Sequence, residues 1–140
     1  MSELSLEQAN KIIAVALAKA RERKHKPMAV VVLDAAGHVK ALQREDGASM
    51  FRVEVATGKA WAAVGMGVSS REVLERAKQN PIFFGGLAVT GQGKFLAQTG
   101  AVLIKDADGK VLGAAGASGG TGDEDEAVCA DGVKAAGLST

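Results

Sequence analysis

The residues with the strongest chemical character lie near the end of the chain, in the segment GASGGTGDEDEAVC from Gly116 to Cys129. Its glycines give the backbone the freedom to form an anion-binding nest, but four consecutive acids, from Asp123 to Glu126, open the helix predicted there. Acids in a first helical turn satisfy the helix dipole and would repel a phosphate. The spacing also differs from both common glycine-rich nucleotide motifs. The segment therefore predicts a capped acidic helix start.

These acids and the other polar residues do not indicate a metal site. A hard-cation loop needs oxygen ligands that alternate through a turn, whereas consecutive acids on a helix point several ways, so that at most two would converge. His25 and His38, the only histidines, show no ligand spacing, which argues against zinc chemistry. We expect each to be an exposed polar residue, and each could serve as a single axial ligand to a heme.

Small residues fill the stretch from Gly113 to Gly122. We expect a helix, a ligand or a subunit contact to lie close against this side-chain-poor wall. Arg44 and Asp46 follow the first predicted hairpin. Arg52 and Lys59 are seven residues apart, on about the same side of the next helix. Solvated surface charge would account for them. The functional alternative is that Arg44 and Lys59 hold a carboxylate whose apolar body lies against the wall.

Composition limits the kinds of partner. Lys and Arg exceed Asp and Glu by 17 to 16, so no net field draws the protein to nucleic acid or to an anionic membrane. Acids stand where a secretory signal would carry cations, and no apolar run reaches the roughly 18 residues of a membrane span. The single cysteine, Cys129, is expected to be a small buried residue and fits a reducing compartment. We therefore expect a cytoplasmic protein.

Four helices are predicted from capping residues and apolar spacing. Capping boxes, in which Ser or Thr is followed three residues later by Glu or Gln, begin at Ser5, Ser69 and Thr121. Ser49 is predicted to cap a further helix. The predicted helices cover residues 6–24, 50–67, 69–79 and 121–136, and Pro81 is expected to close the third.

The strands are predicted as two hairpins. Residues 28–33, MAVVVL, form an unbroken apolar run that is typical of a central strand, and a turn joins them to a returning strand at 38–44. A second hairpin joins 101–104 to 111–118. Between them, residues 85–100 are predicted as loop with a short strand at 94–97. Together these elements predict one α+β domain over residues 1–140, with a mainly antiparallel five-stranded sheet covered by helices.

Four segments carry a family resemblance: LSLEQANKIIAVALAKARE, PMAVVVLDAAGHVKALQREDGAS, ATGKAWAA and VLGAAGASGGTGDEDEAV. Read together, they resemble the HbpS/GlcG family of small heme-binding or heme-degrading proteins, which is related to the C-terminal domain of PduO-type corrinoid adenosyltransferases. The similarity extends over nearly the whole chain. The turn REDGAS departs from the pattern, since many relatives carry methionine after the arginine.

The resemblance implies a profilin-like sandwich that assembles into homo-oligomers, with a small-molecule pocket near the subunit contacts. The pocket positions implied by motif match are Arg44, Asp46, Lys59, Ser118, Gly119, Glu124 and Asp125. For a heme iron, the histidine candidates are His25 and His38, followed by Ser69 and Met50.

Two functions are compatible with these residues. The first is a heme-binding accessory protein, in which Arg44 or Lys59 pairs with a propionate. The alternative is an enzyme or metabolite-binding component of a catabolic operon that acts on a small carboxylate or hydroxy acid. Its acid or base would be Asp46, Glu124 or Asp125, and Lys59 would steady a developing anion. A scaffold whose role is assembly is a third possibility.

Overall fold

The computed structural model describes residues 3–140, which form five helices and four strands. The helices are α1 (Leu6–Glu22), α2 (Met50–Met66), α3 (Ser70–Gln79), α4 (Pro81–Thr90) and α5 (Gly122–Ala135). The strands are β1 (Ala29–Asp34), β2 (Val39–Arg44), β3 (Ala101–Lys105) and β4 (Val111–Ser118). The predicted α+β class is confirmed, and the profilin-like arrangement stays a prediction.

The strands form a single antiparallel sheet in the order β2-β1-β4-β3. Strand β1 lies inside it, since Val31 pairs with Leu42 of β2 on one side and with Gly116 of β4 on the other. Residues 29–33 have no exposed surface, because helices cover both faces of the strand. The central position predicted from the unbroken apolar run is therefore confirmed.

The sheet lies between two helical layers. On one face it packs against α1 and α5, through a core that contains Ile12, Ile13, Val30, Val32, Val128 and Val133. On the other face it packs against α2, through a core rich in alanine that contains Val31, Leu33, Ala56, Ala60, Ala63 and Ala114. Because alanine side chains are short, α2 can approach the sheet closely.

The predicted capping residues begin three of the helices. Ser5 Oγ accepts the Gln8 N–H at 3.0 Å, and Gln8 Oε1 accepts the Ser5 N–H at 3.0 Å. Thr121 and Glu124 form the same reciprocal pair at the start of α5. Ser69 caps α3 through its hydroxyl alone. These bonds satisfy backbone N–H groups that have no partner inside the helix, which is why the sequence predicts the helix starts well.

The region between α3 and β3 differs from the prediction. Residues 81–90 form helix α4, so the first part of the predicted loop, residues 85–90, is helical. Pro81 takes the first helical position, where a missing N–H has no cost. Residues 94–97 do not form a strand. The Leu96 N–H donates to the Gly58 carbonyl of α2 at 3.3 Å, so this segment follows the helix instead of a sheet edge. The predicted fifth strand is therefore wrong.

The side-chain-poor wall is explained in its middle by helix packing. A Cβ added at Gly116 would lie 2.4 Å from the Ala56 carbonyl oxygen of α2 and 3.0 Å from the Ala60 Cβ. Of the expected neighbours of the wall, a helix is therefore the one that occupies this part of β4. The end of the strand, at Ser118, borders a cleft instead.

Replacing Gly116 by alanine tests this close approach. Because neither the α2 backbone nor β4 can yield locally, we expect Gly116→Ala to lower the free energy of unfolding by about 1–3 kcal/mol in urea denaturation. Gly65→Ala is the matched control. Gly65 lies in α2, and no atom is found within 4 Å of a Cβ added there. Gly65→Ala should therefore raise the free energy of unfolding by up to about 1 kcal/mol. Equal effects of the two substitutions would contradict the packing described here.

Candidate functional site

A buried ion pair joins helix α2 to the start of helix α5. Lys59 Nζ lies 3.1 Å from Asp125 Oδ2 and donates to the Ala117 carbonyl at 3.0 Å. Only 5% of Lys59 and 1% of Asp125 are exposed. The other carboxylate oxygen, Asp125 Oδ1, accepts the Gly120 N–H at 2.9 Å. Two of the predicted pocket residues thus lie together in a polar centre that fixes the end of β4 against two helices.

The surroundings of the pair are built to hold it. Gly100 has a φ of +139°, and a Cβ at this position would lie 2.5 Å from Lys59 Nζ, so a glycine leaves the space for the ammonium group. Burial raises the pKa of the Asp125 carboxyl, and the positive charge of Lys59 and the Gly120 N–H oppose that shift. The hydrogen bonds of the two groups and the attraction between their charges therefore offset part of the free-energy cost of removing both from water.

Arg52 lies on the same side of α2 as Lys59, two turns earlier. Its Nη1 donates to Ser118 Oγ at 3.0 Å, and Ser118 is 1% exposed. These residues open onto a cleft of about 390 Å³, here called the ion-pair cleft, which is lined by Arg52, Lys59, Gln98, Thr99, Ser118, Gly120, Thr121, Gly122, Asp123, Asp125 and Val55. Arg52 was not predicted to line a pocket, although its seven-residue spacing from Lys59 indicated the shared side.

Glu124 and His25 lie beside the start of α5 and do not line this cleft. Glu124 Oε1 accepts the Thr121 N–H at 2.9 Å, and Glu124 Oε2 lies 3.4 Å from His25 Nε2. Only 9% of the His25 side chain is exposed, and its Nδ1 is buried without a hydrogen-bond partner among residues 3–140. The His25 side chain is thus enclosed, not exposed as predicted, and its Nε2 lies against Glu124 of α5.

Arg44 and Asp46 lie elsewhere, in a cleft of about 440 Å³ that also includes Arg21 and Pro27. Arg44 Nη1 donates to the Ala48 carbonyl at 2.6 Å, which holds the side chain on its own loop. The structure therefore separates Arg44 from Lys59, with which it was predicted to share a carboxylate.

Gly119 is a point of close backbone contact between the end of β4 and the segment before β1. A Cβ at Gly119 would lie 2.4 Å from the Met28 Cβ and 2.5 Å from the Pro27 carbonyl oxygen. Gly119 lines neither the ion-pair cleft nor the cleft beside Arg44. Of the seven predicted pocket residues, Lys59, Ser118 and Asp125 are the ones that the structure brings together in one cleft.

His38 lies at a second, larger cleft, of about 590 Å³. This cleft, here called the histidine cleft, is lined by Ala36, Gly37, His38, Val39, Glu54, Thr57, Gly58, Trp61, Gln92, Gly93 and Lys94. Glu54 and Trp61 each follow Arg52 and Lys59 by two residues, which is about 200° around the helix. The two clefts therefore lie on opposite sides of α2. Sequence reasoning missed the histidine cleft, because three segments distant along the chain form it.

The remaining candidates have structural positions that account for them. Ser69 Oγ accepts the Glu72 N–H at 3.4 Å as the cap of α3, and Met50, at the first position of α2, is 70% exposed. Cys129 is fully buried, as predicted, and burial raises the pKa of its thiol. Among residues 3–140, no cluster of three His, Cys, Asp or Glu side chains could hold a metal ion.

No helix in the described part of the chain combines the length and the hydrophobicity that crossing a bilayer requires.

A double-mutant cycle on Lys59 and Asp125 tests the ion pair. Lys59→Met leaves a buried carboxylate without its cation, so we expect the free energy of unfolding to fall by about 3–5 kcal/mol at neutral pH. Asp125→Asn keeps an acceptor for Gly120 but leaves the ammonium group unpaired, with a loss of similar order. The double variant removes both charges, so we expect it to lose clearly less than the sum of the single losses, as measured by urea denaturation.

The pH dependence supplies the control for this cycle. A raised carboxyl pKa in the folded state favours protonation on folding, so its contribution is fully present below the unfolded pKa and is lost as pH rises through the folded pKa. Without Lys59 the folded pKa of Asp125 lies higher still, so the deficit of Lys59→Met should shrink on going from neutral pH to about pH 5. Single losses that add, with no change with pH, would contradict the pairing.

Comparison with known proteins places this geometry in a family. A Citrobacter freundii protein, described as an uncharacterized 15.0 kDa protein in the dhaT-dhaS intergenic region, is 28% identical over 125 residues, or 89% of this chain and 86% of that protein. The crystal structure of a PduOC:heme complex is similar with a TM-score of 0.88 and 26% identity, and 99% of each chain is covered. The crystal structure of a double mutant of Streptomyces reticuli HbpS is similar with a TM-score of 0.82 and 26% identity, and 96% of this chain and 87% of that chain are covered.

The family model described as Haem degrading protein HbpS-like matches residues 4–134. That range includes all four strands and every lining residue of the ion-pair cleft and the histidine cleft. The chain therefore belongs to the HbpS-like family.

Proposed function

We propose that this protein is a heme-binding accessory protein and that it holds heme in the histidine cleft, with His38 as the iron ligand. The proposal is supported by the family match together with one structural observation. His38 is exposed and lines a cleft of about 590 Å³, whose lining also includes Trp61. Ligand sites typically have volumes of roughly 300–1,000 Å³ and largely apolar walls.

The backbone at His38 is held firmly. Asp34 Oδ1 accepts the N–H groups of Ala36 at 2.9 Å and of His38 at 3.0 Å, and the Asp34 N–H donates to the His38 carbonyl at 2.9 Å. These bonds close the tight turn between β1 and β2. The imidazole therefore projects from a rigid point, which lowers the entropy lost when it binds a metal.

Apolar groups beside His38 offer a surface for a flat macrocycle. Val39 is 58% exposed. The Trp61 ring is fixed between neighbours, since it meets Phe95 edge-on at 6.5 Å, and a Cβ at Gly37 or Gly91 would lie only 3.2 or 3.1 Å from the indole. A preformed aromatic wall of this kind can stack on a porphyrin without prior rearrangement.

The charges at the cleft contribute less. Lys94 is exposed and lines the cleft, so its ammonium group can pair with a propionate, whereas Glu54 on the other side would repel one. An exposed pair of this kind contributes up to about 1 kcal/mol. We therefore expect the affinity to depend on the iron ligand and the apolar wall. The earlier propionate candidate Lys59 is already paired with Asp125.

His25 is a poorer iron ligand in this geometry. Its Nε2 faces Glu124, and its Nδ1 is enclosed by protein, so a macrocycle would reach it only after the start of α5 had moved. When bound, heme would supply an iron centre with an exchangeable coordination position. The chain's own residues would hold, orient and partly shield it.

Self-association is also part of the proposal. Helix α4 has no charged residue, and Ile82, Phe83 and Val89 are 90%, 55% and 79% exposed. Apolar side chains exposed together in this way are typical of protein contact surfaces. They support the homo-oligomer that the family resemblance implies.

Hemin titration followed by absorbance tests the proposal. We expect a Soret band that saturates at one hemin per chain, and we expect His38→Ala to shift the band and to weaken binding by about tenfold or more, because the iron loses its protein ligand. His25→Asn is the matched control, and it should leave both the band and the affinity unchanged. Loss of the band in the His25 variant alone, or no band with wild-type protein, would overturn the assignment.

A further inference from the structure

We infer that the ion-pair cleft is a second ligand site, which binds a small organic monocarboxylate independently of the histidine cleft. The inference rests on Arg52, on two backbone N–H groups at the start of α5 and on the buried ammonium group of Lys59. None of these groups belongs to the histidine cleft.

The first step is the balance of charge around the cleft. Lys59 is paired with Asp125, and Asp123 is paired with Arg71. Within residues 3–140, Arg52 is the remaining charged residue of the lining, and its hydrogen-bond partner is the neutral Ser118 hydroxyl. The cleft therefore contains one positive charge that no carboxylate of the described chain neutralises.

The second step is the orientation of Arg52. A guanidinium group has five N–H donors in a planar fork, and the bond to Ser118 uses one of them. Ser118 is 1% exposed and lies at the end of β4, so it anchors the guanidinium at the cleft wall. The other donors are left for a ligand, and a carboxylate matches such a fork with two parallel hydrogen bonds.

The third step concerns the backbone at the start of α5. The N–H groups of Gly120, Thr121 and Glu124 are used by Asp125 Oδ1, Glu124 Oε1 and Thr121 Oγ1, respectively. The N–H groups of Gly122 and Asp123 are the first two of the helix, so the helix itself provides no acceptor for them. Both residues line the ion-pair cleft, and unpaired N–H groups at a helix start attract an anion.

Lys59 provides a further donor at depth. Its ammonium group has three N–H bonds, of which two go to Ala117 and Asp125. Lys59 lines the cleft although it is only 5% exposed. A carboxylate that reaches it would be sheltered from water, where an interaction with a cation is stronger.

The same groups define the class of ligand. Asp123 and Asp125 also line the cleft, so a phosphate dianion would meet two carboxylates, whereas a monocarboxylate matches the single unpaired charge of Arg52. Gln98 and Thr99 form part of the wall and can bond a polar substituent. A volume of about 390 Å³ admits a ligand of a few carbon atoms to one aromatic ring.

The test is a titration of the heme-free protein with sodium acetate, lactate and benzoate, followed by amide NMR. We expect at least one of them to give saturable shifts at Gly120, Gly122 and Asp123. Arg52→Gln should weaken that binding by about tenfold or more, because the paired hydrogen bonds are lost. The unshifted remainder of its spectrum shows that the variant is folded. His38→Ala should bind the carboxylate as the wild type does.

Sulfate and phosphate at matched ionic strength are the comparison ligands. Binding of all anions with equal affinity would mean a general anion surface and would overturn the assignment of a carboxylate site. The assignment also fails if no carboxylate gives saturable shifts in the wild type, or if Arg52→Gln binds as tightly. These outcomes are separate from the hemin titration, so either site can fail while the other stands.

Discussion

Helix α2 lies directly across strand β4 because Gly116 has no side chain, and an added Cβ would lie 2.4 Å from the Ala56 carbonyl oxygen. That close approach brings Lys59, almost one turn further along the helix, to the end of the strand. There its ammonium group reaches both the Ala117 carbonyl and Asp125. A larger residue at Gly116 would lift the helix and separate the pair. One contact between backbones therefore positions the helix, the strand end and the start of α5.

The two sides of α2 have different chemistry because the helix separates a charged surface from an aromatic one. Toward α5 it presents Arg52 and Lys59, and toward the turn between β1 and β2 it presents Trp61. We propose a small anion as the ligand of the first side, and for the second side a large flat ligand that is apolar except at its edge. A single rigid helix thus sets the distance between two sites, while neither site shares a lining residue with the other.

Local patterns in the sequence predicted most of the fold. Ser5 and Thr121 begin their helices as capping boxes because the bonds involved span only three residues. Pro81 was predicted to end a helix, whereas it begins the next one, and the two possibilities have the same local sequence. Lys59, Ser118 and Asp125, three of the seven predicted pocket residues, line one cleft, and their role in binding a ligand stays a prediction. Arg52, on the same side of α2 as Lys59, lines this cleft, whereas Arg44 lines another one.

The reason for these differences is that the clefts depend on packing between distant segments. Arg44 leaves β2 on a loop that its own bond to Ala48 holds away from α5, and no sequence pattern reports that direction. The histidine cleft needs the residues 36–39, α2 and the residues 92–94 to meet. Each segment alone shows only a turn, a helix or a loop, so a lone exposed histidine was all that the sequence could indicate.

The amide NMR spectrum of the protein with ferric hemin tests the central claim most directly, because a paramagnetic iron broadens the signals of nearby groups. With heme in the histidine cleft, the signals of Gly37, Gly93 and the Trp61 indole N–H should disappear, while those of Gly120 and Gly122 persist. The reverse pattern, with broadening at the start of α5 and sharp signals around Trp61, would show that heme occupies the ion-pair cleft and would contradict the division of the two sites.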